Sequence, residues 1–157
     1  MCAILDANAV HEVFNVEGQD AGMQFFKWIN NGAGRLVIGG KLTHELSDAS
    51  EIFRRWAKTA RIKGRMRVVQ DGKVNQKDKE LAMTGDCLSD DSHIIALAQV
   101  SGARLLYSND KTLHKDFTNK QLIDRPRGKV YSTLKDGSFS KTHQRLLADR
   151  NFCGMKS

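Results

Sequence analysis

Short apolar runs alternate with helical segments along the whole chain, and this order constrains the fold more than any other feature. The runs are four or five residues long and cover residues 2–5, 35–38, 66–70, 104–108 and 129–132. Most are rich in Val, Ile and Leu, as are strands buried on both faces of a parallel sheet. Strands that alternate with helices favour an α/β fold in which helices cover both faces of that sheet.

Helical periodicity predicts the connecting segments. It places helices at residues 7–15, 19–31, 41–60, 78–83, 111–117 and 139–150. A further helix begins next to Asp91, and its apolar stripe starts three residues later, so Asp91 shares the face of that stripe. Ser101-Gly102 ends this helix, and Asp71-Gly72 is a turn signal.

Length and composition indicate one soluble domain. The 157 residues are 40% hydrophobic and 27% charged, which is ordinary for a globular chain with a proper core. No apolar run reaches the length of a membrane span, and the N-terminus lacks the basic and apolar regions of a signal peptide. Cys2, Cys87 and Cys153 form no paired motif, so we expect reduced thiols and a cytoplasmic location.

Carboxylates follow two of the predicted strands. Asp6 ends the first strand and Asp110 lies just past the fourth, whereas Asp91 opens the helix before the fourth strand. In open α/β sheets, sites form outside the carboxyl ends of the strands, where the strand order reverses. Acids gathered there repel one another unless a divalent cation lies between them. Each Asp could instead be an ordinary helix N-cap, and for a single residue that reading is about as good.

The positive charge of the chain is unevenly distributed. The net charge is +7, and residues 54–67 hold seven basic residues and no acid. A basic exterior around an acidic crevice suits a polyanionic substrate, although basic runs are also common as solvated faces. The candidate nucleic-acid contacts are Arg54, Arg55, Lys58, Arg61 and Lys111.

Four short motifs together resemble the PIN-domain nucleases, the VapC-like toxins among them. They are Asp6 in LDAN, Glu45 in THEL, Asp91 in the pattern D-x-x-I-x-x-x-A, and Asp110 in SND. Their order agrees with the family from residue 2 to about 132. The resemblance implies a three-layer α/β/α sandwich of the Rossmann-like kind. It also implies a nuclease domain at residues 1–132, with 133–157 a basic C-terminal extension of the same domain.

The resemblance further implies the chemistry. Asp6, Glu45, Asp91 and Asp110 would be the catalytic acids and the ligands of Mg²⁺ or Mn²⁺, at which a water is activated to hydrolyse RNA. Hard oxygen ligands favour these ions over zinc. Asn8, Ser108 and Asp90 would orient the ligands, although Asp90 directly precedes Asp91 and helical phase alone favours the latter. Many members of the family are toxins, which implies an antitoxin protein and a second copy of the chain as partners.

Other interpretations remain open at this stage. A PIN-like fold could bind nucleic acid or a partner protein without cutting. His44 and His93 each adjoin a proposed ligand, and we interpret both as helix-surface residues because a lone His is rarely a ligand. Asp6-x-Asn8 also resembles the start of aspartyl-phosphate phosphatases, but Asn8 stands where these need a second Asp.

Overall fold

Five short strands form one parallel sheet. The structure, a computed structural model, describes residues 2–15 and 20–149. The strands are β1 Cys2–Leu5, β2 Arg35–Gly39, β3 Met66–Val69, β4 Leu105–Tyr107 and β5 Lys129–Tyr131. They lie in the order β3-β2-β1-β4-β5, and all four pairings are parallel. The predicted α/β fold with a central parallel sheet is confirmed.

Helices connect the strands and cover the sheet. They are α1 Val10–Val13, α2 Asp20–Asn30, α3 Lys41–Ala49, α4 Glu51–Ala60, α5 Asp71–Thr84, α6 Ser92–Ser101, α7 Lys111–Phe117 and α8 Lys141–Ala148, with a 3₁₀ turn at Ala7–Ala9. Right-handed crossovers, the rule for such units, place α1–α4 on one face and α5–α7 on the other. Because α8 contacts α2, it joins the first group and completes a three-layer arrangement.

The direction of the sheet reverses between β1 and β4. From β1 the chain moves outward through β2 to β3, then returns to the other side of β1 to form β4 and β5. A crevice therefore opens at the carboxyl ends of β1 and β4, where the helices that follow these strands turn to opposite sides. Asp6 directly follows β1, and Asp110 comes three residues after the end of β4.

Aromatic side chains hold α2 against the two strands on one side of this crevice. The ring of Phe25 lies 5.0 Å from that of Tyr107 and 5.4 Å from that of Tyr131, measured between centroids. The Tyr131 hydroxyl donates to the Ala21 carbonyl at 2.6 Å. All three rings are fully buried, so the ends of β4 and β5 are fixed by packing rather than by the sheet alone.

The predicted single helix at residues 41–60 is wrong, because the chain breaks at Ser50. Its backbone is extended (φ −143°, ψ 117°), and its hydroxyl accepts a hydrogen bond from the Phe53 amide at 3.0 Å. Ser50 thus caps a new helix, α4, which continues the chain in a new direction. The break lets both Leu46 and Phe53 enter the core, since each is almost fully buried.

The predicted turn at Asp71-Gly72 is also wrong, because α5 begins at Asp71 and runs for 14 residues. Asp71 Oδ1 accepts a hydrogen bond from the Gly40 amide at 2.8 Å, so a contact from another strand end fixes the start of this helix. The predicted helix at 7–15 is shorter, with four α-helical residues after the 3₁₀ turn. Residues 19 and 150, predicted as helix ends, lie outside the described residues.

Residues 133–149 pack back onto the first helical layer. The Gly137 carbonyl accepts a hydrogen bond from the Ala21 amide at 2.9 Å, and the Leu147 carbonyl accepts one from Trp28 Nε1 at 3.0 Å. The described part of the basic extension therefore shares the core of the domain. The boundary at residue 132 stays a prediction.

The cysteines depart from the expectation of three reduced thiols. Cys87 is a free thiol, whereas Cys2 is disulfide-bonded, so the expectation is wrong there. Cys153 lies outside the described residues. The predicted cytoplasmic location, which rested partly on reduced thiols, stays a prediction. Among the described helices, none has the length and apolar character needed to cross a membrane.

Replacing Ser50 by Ala should lower the free energy of unfolding by about 1 kcal/mol, because the Phe53 amide loses its capping partner. In a chain of this size that corresponds to a melting temperature lower by about 2–4 °C. Thermal unfolding followed by circular dichroism measures the change. Ser50→Thr keeps a hydroxyl at the cap and serves as the control. An equal loss in both variants would mean that packing around Ser50, not the cap, matters.

Candidate metal centre and nucleic-acid interface

Four acids from four separate segments meet at the crevice between β1 and β4. Asp6 follows β1, Glu45 lies in the middle of α3, and Asp91 and Asp110 occupy the N-cap positions of α6 and α7. Asp6 is 5% exposed, and the other three are half-buried. The fold thus brings together, in one crevice, carboxylates that are more than 100 residues apart in the sequence.

Asp6 occupies the most buried position of the four. Burial raises the pKa of its carboxyl, and the nearby charges of Asp91 and Glu45 raise it further. The Ser108 hydroxyl donates to Asp6 Oδ2 at 2.8 Å and opposes that rise in pKa. Ser108, predicted to orient the acids, thus forms a hydrogen bond with Asp6.

Asp91 faces the same cluster. Burial raises the pKa of its carboxyl, Glu45 and Asp110 add to the rise, and His93 and Lys41 oppose it. The Asp91 side chain makes no capping hydrogen bond to its own helix, and one of its carboxylate oxygens lies within 4.8 Å of ligand atoms of Glu45 and His93.

Asp90, in contrast, is exposed and lies at the rim of the cavity. The structure thus brings Asp91 rather than Asp90 to Glu45, as helical phase favoured.

His93 is not a helix-surface residue, so that interpretation is wrong. It is 3% exposed, and its Nε2 lies 2.6 Å from Glu45 Oε1. Glu45, Asp91 and His93 offer ligand atoms that all lie within 4.8 Å of one another. His44, the other candidate, is exposed as expected. The sequence placed His93 beside Asp91 but offered no signal for its contact with Glu45, which lies 48 residues away.

Asp110 serves as a helix cap, which was the alternative interpretation for each Asp. Its Oδ1 accepts hydrogen bonds from the Thr112 amide at 2.9 Å and the Leu113 amide at 3.3 Å. Both contacts use one oxygen of the carboxylate. Asp110 also lines a cavity of about 360 Å³ with Asp91, so capping and a place in the cluster are compatible.

The segment that carries Ser108 and Asp110 is anchored by Asn109, which the sequence did not single out. Asn109 Nδ2 donates to Glu12 Oε2 at 2.6 Å, and its Oδ1 accepts from the Thr133 amide at 3.0 Å. Glu12 also accepts from the Tyr107 hydroxyl at 2.9 Å and from the Thr133 hydroxyl. These bonds tie the end of β4 to α1 and to the chain after β5.

A second anchor, Asp116, holds the loop before Asp91. Its two carboxylate oxygens accept from the amides of Leu88 and Ser89, at 2.9 and 2.8 Å. The Ser89 hydroxyl in turn accepts from the Asp91 amide at 3.0 Å. Asp116 is 1% exposed and belongs to α7, so α7 is linked to the loop that leads into α6.

Asn8 is exposed, and its Oδ1 lies 3.5 Å from the Asn109 amide that donates to it. This long hydrogen bond joins the segments after β1 and β4. The Asn8 side chain therefore contacts the loop that carries Asp110 rather than one of the four acids.

The proposed RNA-binding cations are all exposed: Arg54, Arg55, Lys58, Arg61 and Lys111. Lys111 directly follows Asp110. Arg55 forms an ion pair with Glu51 at 2.9 Å, and the guanidinium of Arg54 donates to the Ser47 carbonyl. Arg61 lies where α4 leads into β3, hence near the amino edge of the sheet and away from the acids. Of this set, Lys111 lies beside the acids.

The donor set suits a hard divalent cation. All four acids offer oxygen. Repulsion by neighbouring carboxylates adds to the effect of burial in raising the pKa of Asp6 and of Asp91. Carboxylate oxygens are the preferred ligands of Mg²⁺ and Mn²⁺. A cation at this site would relieve that repulsion. His93 adds one nitrogen to the surroundings, but its Nε2 is engaged by Glu45.

Comparisons with known proteins give one distant likeness in fold. No model of a known protein family matches the chain, and no curated protein matches it in sequence. A solved structure of VapBC2 from Rickettsia felis, bound to a DNA fragment from their promoter, is similar over 84% of this chain and 98% of that chain. The sequence identity is 15% and the TM-score is 0.47. Function therefore has to be inferred from the site itself.

Replacing Asp6 by Asn should raise the melting temperature in EDTA. Because burial raises the pKa of Asp6 above 3.8, the folded protein binds this proton more tightly than the unfolded chain does. The ionised carboxylate thus lowers the free energy of unfolding above the folded-state pKa, and this loss disappears as the pH falls below 3.8. The gain should be largest near neutral pH and disappear in acid. Thermal melts from about pH 3 to about pH 8 measure it.

Asp48→Asn, on an exposed position of α3, is the matched control and should show no such gain. A gain for Asp6→Asn that does not change with pH would contradict this account of the charge.

Glu12→Gln should lower the free energy of unfolding by about 1–3 kcal/mol, because an amide cannot accept from all three donors that Glu12 now serves. The exposed neighbour His11→Gln is the control and should leave the free energy of unfolding nearly unchanged. Urea unfolding measures both. Wild-type stability in Glu12→Gln would show that Glu12 does not anchor the loop.

Proposed function

We propose that the protein is a metal-dependent endoribonuclease that hydrolyses RNA phosphodiester bonds. The observation that carries this proposal is the convergence of Asp6, Glu45, Asp91 and Asp110 at the point where the sheet reverses direction. Carboxylates that are buried beside like charges at such a site are costly to keep. A site that binds Mg²⁺ or Mn²⁺ accounts for the cost, and the PIN-like motifs of the sequence agree with it.

The four acids would bind the cation, and neighbouring polar residues would position the acids. Asp6 and Asp110 are the central ligands in this scheme, with Asp91 and Glu45 beside them. Ser108 positions Asp6 through the hydrogen bond to Oδ2, and His93 positions Glu45. When bound, the divalent ion supplies Lewis-acid chemistry, which lowers the pKa of a water and neutralises charge on the scissile phosphate.

The surface charge supports a polyanionic substrate. The chain carries a net charge of +7, and exposed Lys111 adjoins Asp110 in sequence. Lys111 thus adds positive charge close to the acids, which favours the approach of a phosphate. The exposed cations of α4 lie farther away and would contact distant parts of the RNA.

The resemblance in sequence extends the proposal to partners. We propose an antitoxin protein that blocks the site, assembly of two copies of the chain, and a cytoplasmic location. A toxin should arrest growth when it is expressed, and the product of a neighbouring gene should relieve the arrest. If expression does not arrest growth, the protein is a processing nuclease rather than a toxin.

Purified protein should cleave a fluorescent single-stranded RNA in Mg²⁺ or Mn²⁺, and EDTA should abolish the cleavage. Asp6→Asn and Asp91→Asn should each lower the rate by at least about 100-fold, because each removes a charged ligand. Cleavage followed by denaturing gel electrophoresis measures the rates.

Asp90→Asn is the matched control, since Asp90 is the exposed neighbour of Asp91, and its rate should fall by less than about fivefold. If Asp6→Asn cleaves as fast as wild type, the site is wrong. RNA binding without cleavage and without a Mn²⁺-dependent rise in melting temperature would instead support a non-catalytic binding module.

A further inference from the structure

A second and larger pocket lies beside the edge strand β5. Its volume is about 640 Å³, and α7, the residues after β5 and α8 form its walls. Pockets of about 300–1,000 Å³ are typical of small-molecule and cofactor sites. Much of the pocket is built from residues 132–146, a segment for which the proposed hydrolysis has no use.

The first turn of α7 forms a wall common to both cavities. Asp110 and Thr112 line the acidic cavity, whereas Lys111 and His114 line the larger pocket. A helix is about 10–12 Å across, which is about three stacked nucleotides at about 3.4 Å each. An RNA strand with one phosphate at the acids would therefore reach the larger pocket within a few nucleotides.

The lining combines positive charge with apolar surface. Lys111 and Lys135 bring the charge, and Val130, Leu134 and Leu146 bring the apolar contacts. A nucleotide needs both, since its phosphate binds cations and the flat face of its base packs against apolar side chains.

Asp136 is an acid of this lining, but its Oδ1 accepts from the amide and the hydroxyl of Ser138. Those contacts within its own loop occupy one oxygen of its carboxylate. The two lysines thus give the lining a net positive charge.

Hydrogen bonds from two histidines make the walls rigid. His143 Nε2 donates to the Ser132 carbonyl at 2.6 Å, and its Nδ1 accepts from the Ser140 amide at 3.1 Å. His114 Nε2 donates to the Ser108 carbonyl at 2.6 Å. Because a carbonyl can only accept, Nε2 carries the hydrogen in both rings.

We propose that the pocket is a nucleotide subsite for the RNA substrate. It binds one nucleotide of a single strand, a few positions from the phosphate at the acids. The base lies against Leu134 and Leu146, and the adjoining backbone phosphate lies beside Lys111 and Lys135. This assignment rests on the proposed function, because it takes RNA to be the substrate of the acidic site.

The test is an abasic scan of binding in EDTA, where cleavage cannot occur. A fluorescein-labelled single-stranded RNA decamer is made in ten versions, each lacking the base at one position, and fluorescence anisotropy gives each Kd. For the wild-type chain, loss of the base that occupies the pocket should raise Kd by about fivefold or more. In Leu134→Ser, removing that same base should have no further effect, because the contact is already lost.

Lys135→Glu should raise Kd by about tenfold and lower the slope of log Kd against log salt by about one. Lys63→Glu is the matched control, since Lys63 is an exposed lysine in the loop between α4 and β3, at the amino edge of the sheet. Its Kd should change by less than about threefold. Leu134 and Lys135 are exposed, so both variants should melt within about 2 °C of wild type.

The outcomes separate this proposal from the proposed hydrolysis. If removal of each base changes Kd in Leu134→Ser as it does in wild type, or if no decamer binds, the proposed subsite is wrong. If the wild-type chain nevertheless cleaves RNA, the proposed hydrolysis stands without the subsite. An abasic profile that changes as expected, in a chain that never cleaves RNA, supports the subsite and overturns the hydrolysis.

Discussion

Repulsion between carboxylates held in one crevice is the constraint on which the rest of the structure depends. Burial raises the pKa of Asp6 and of Asp91, and the nearby charge of Glu45 raises both further, so the fold must supply the free energy that keeps these carboxyls together. A protein tolerates such a cost at a site where charge is needed. The parallel sheet makes the arrangement possible, because the carboxyl ends of β1 and β4 are adjacent where the strand order reverses.

The scaffold holds these acids with polar partners, of which Ser108 and Asp116 are buried. Ser108 donates to Asp6, Asn109 is bound on both sides, and Asp116 holds the loop that leads to Asp91. Asp116 is an acid put to structural use, since both its oxygens accept from backbone amides. Such bonds are strong because the acceptor is charged and removed from water. The loops that carry the acids are thereby fixed before any ligand binds, which is the condition for a preorganised site.

The C-terminal segment contributes to both the core and a pocket of the domain. It packs onto α2 through Trp28 and forms one wall of a pocket whose other wall is the start of α7. Lys111 and Asp110 are adjacent in sequence but face different cavities. The first turn of α7 thus separates the acidic cavity from the larger pocket. An RNA strand that spans both would be positioned by contacts remote from the bond that is cut.

The sequence by itself determined the fold class, because buried strands and amphipathic helices leave local periodicities in the chain. It also singled out Asp6, Asp91 and Asp110 from their positions at strand ends and helix starts, and it favoured Asp91 over Asp90 by helical phase. Only the tertiary structure decided that His93 is buried against Glu45 and that Asn109 is bound by Glu12 across 97 residues. Such partners come from segments that no local pattern relates. The physical reason is that periodicity reports which face of an element is buried, whereas a hydrogen bond depends on which distant segment packs there.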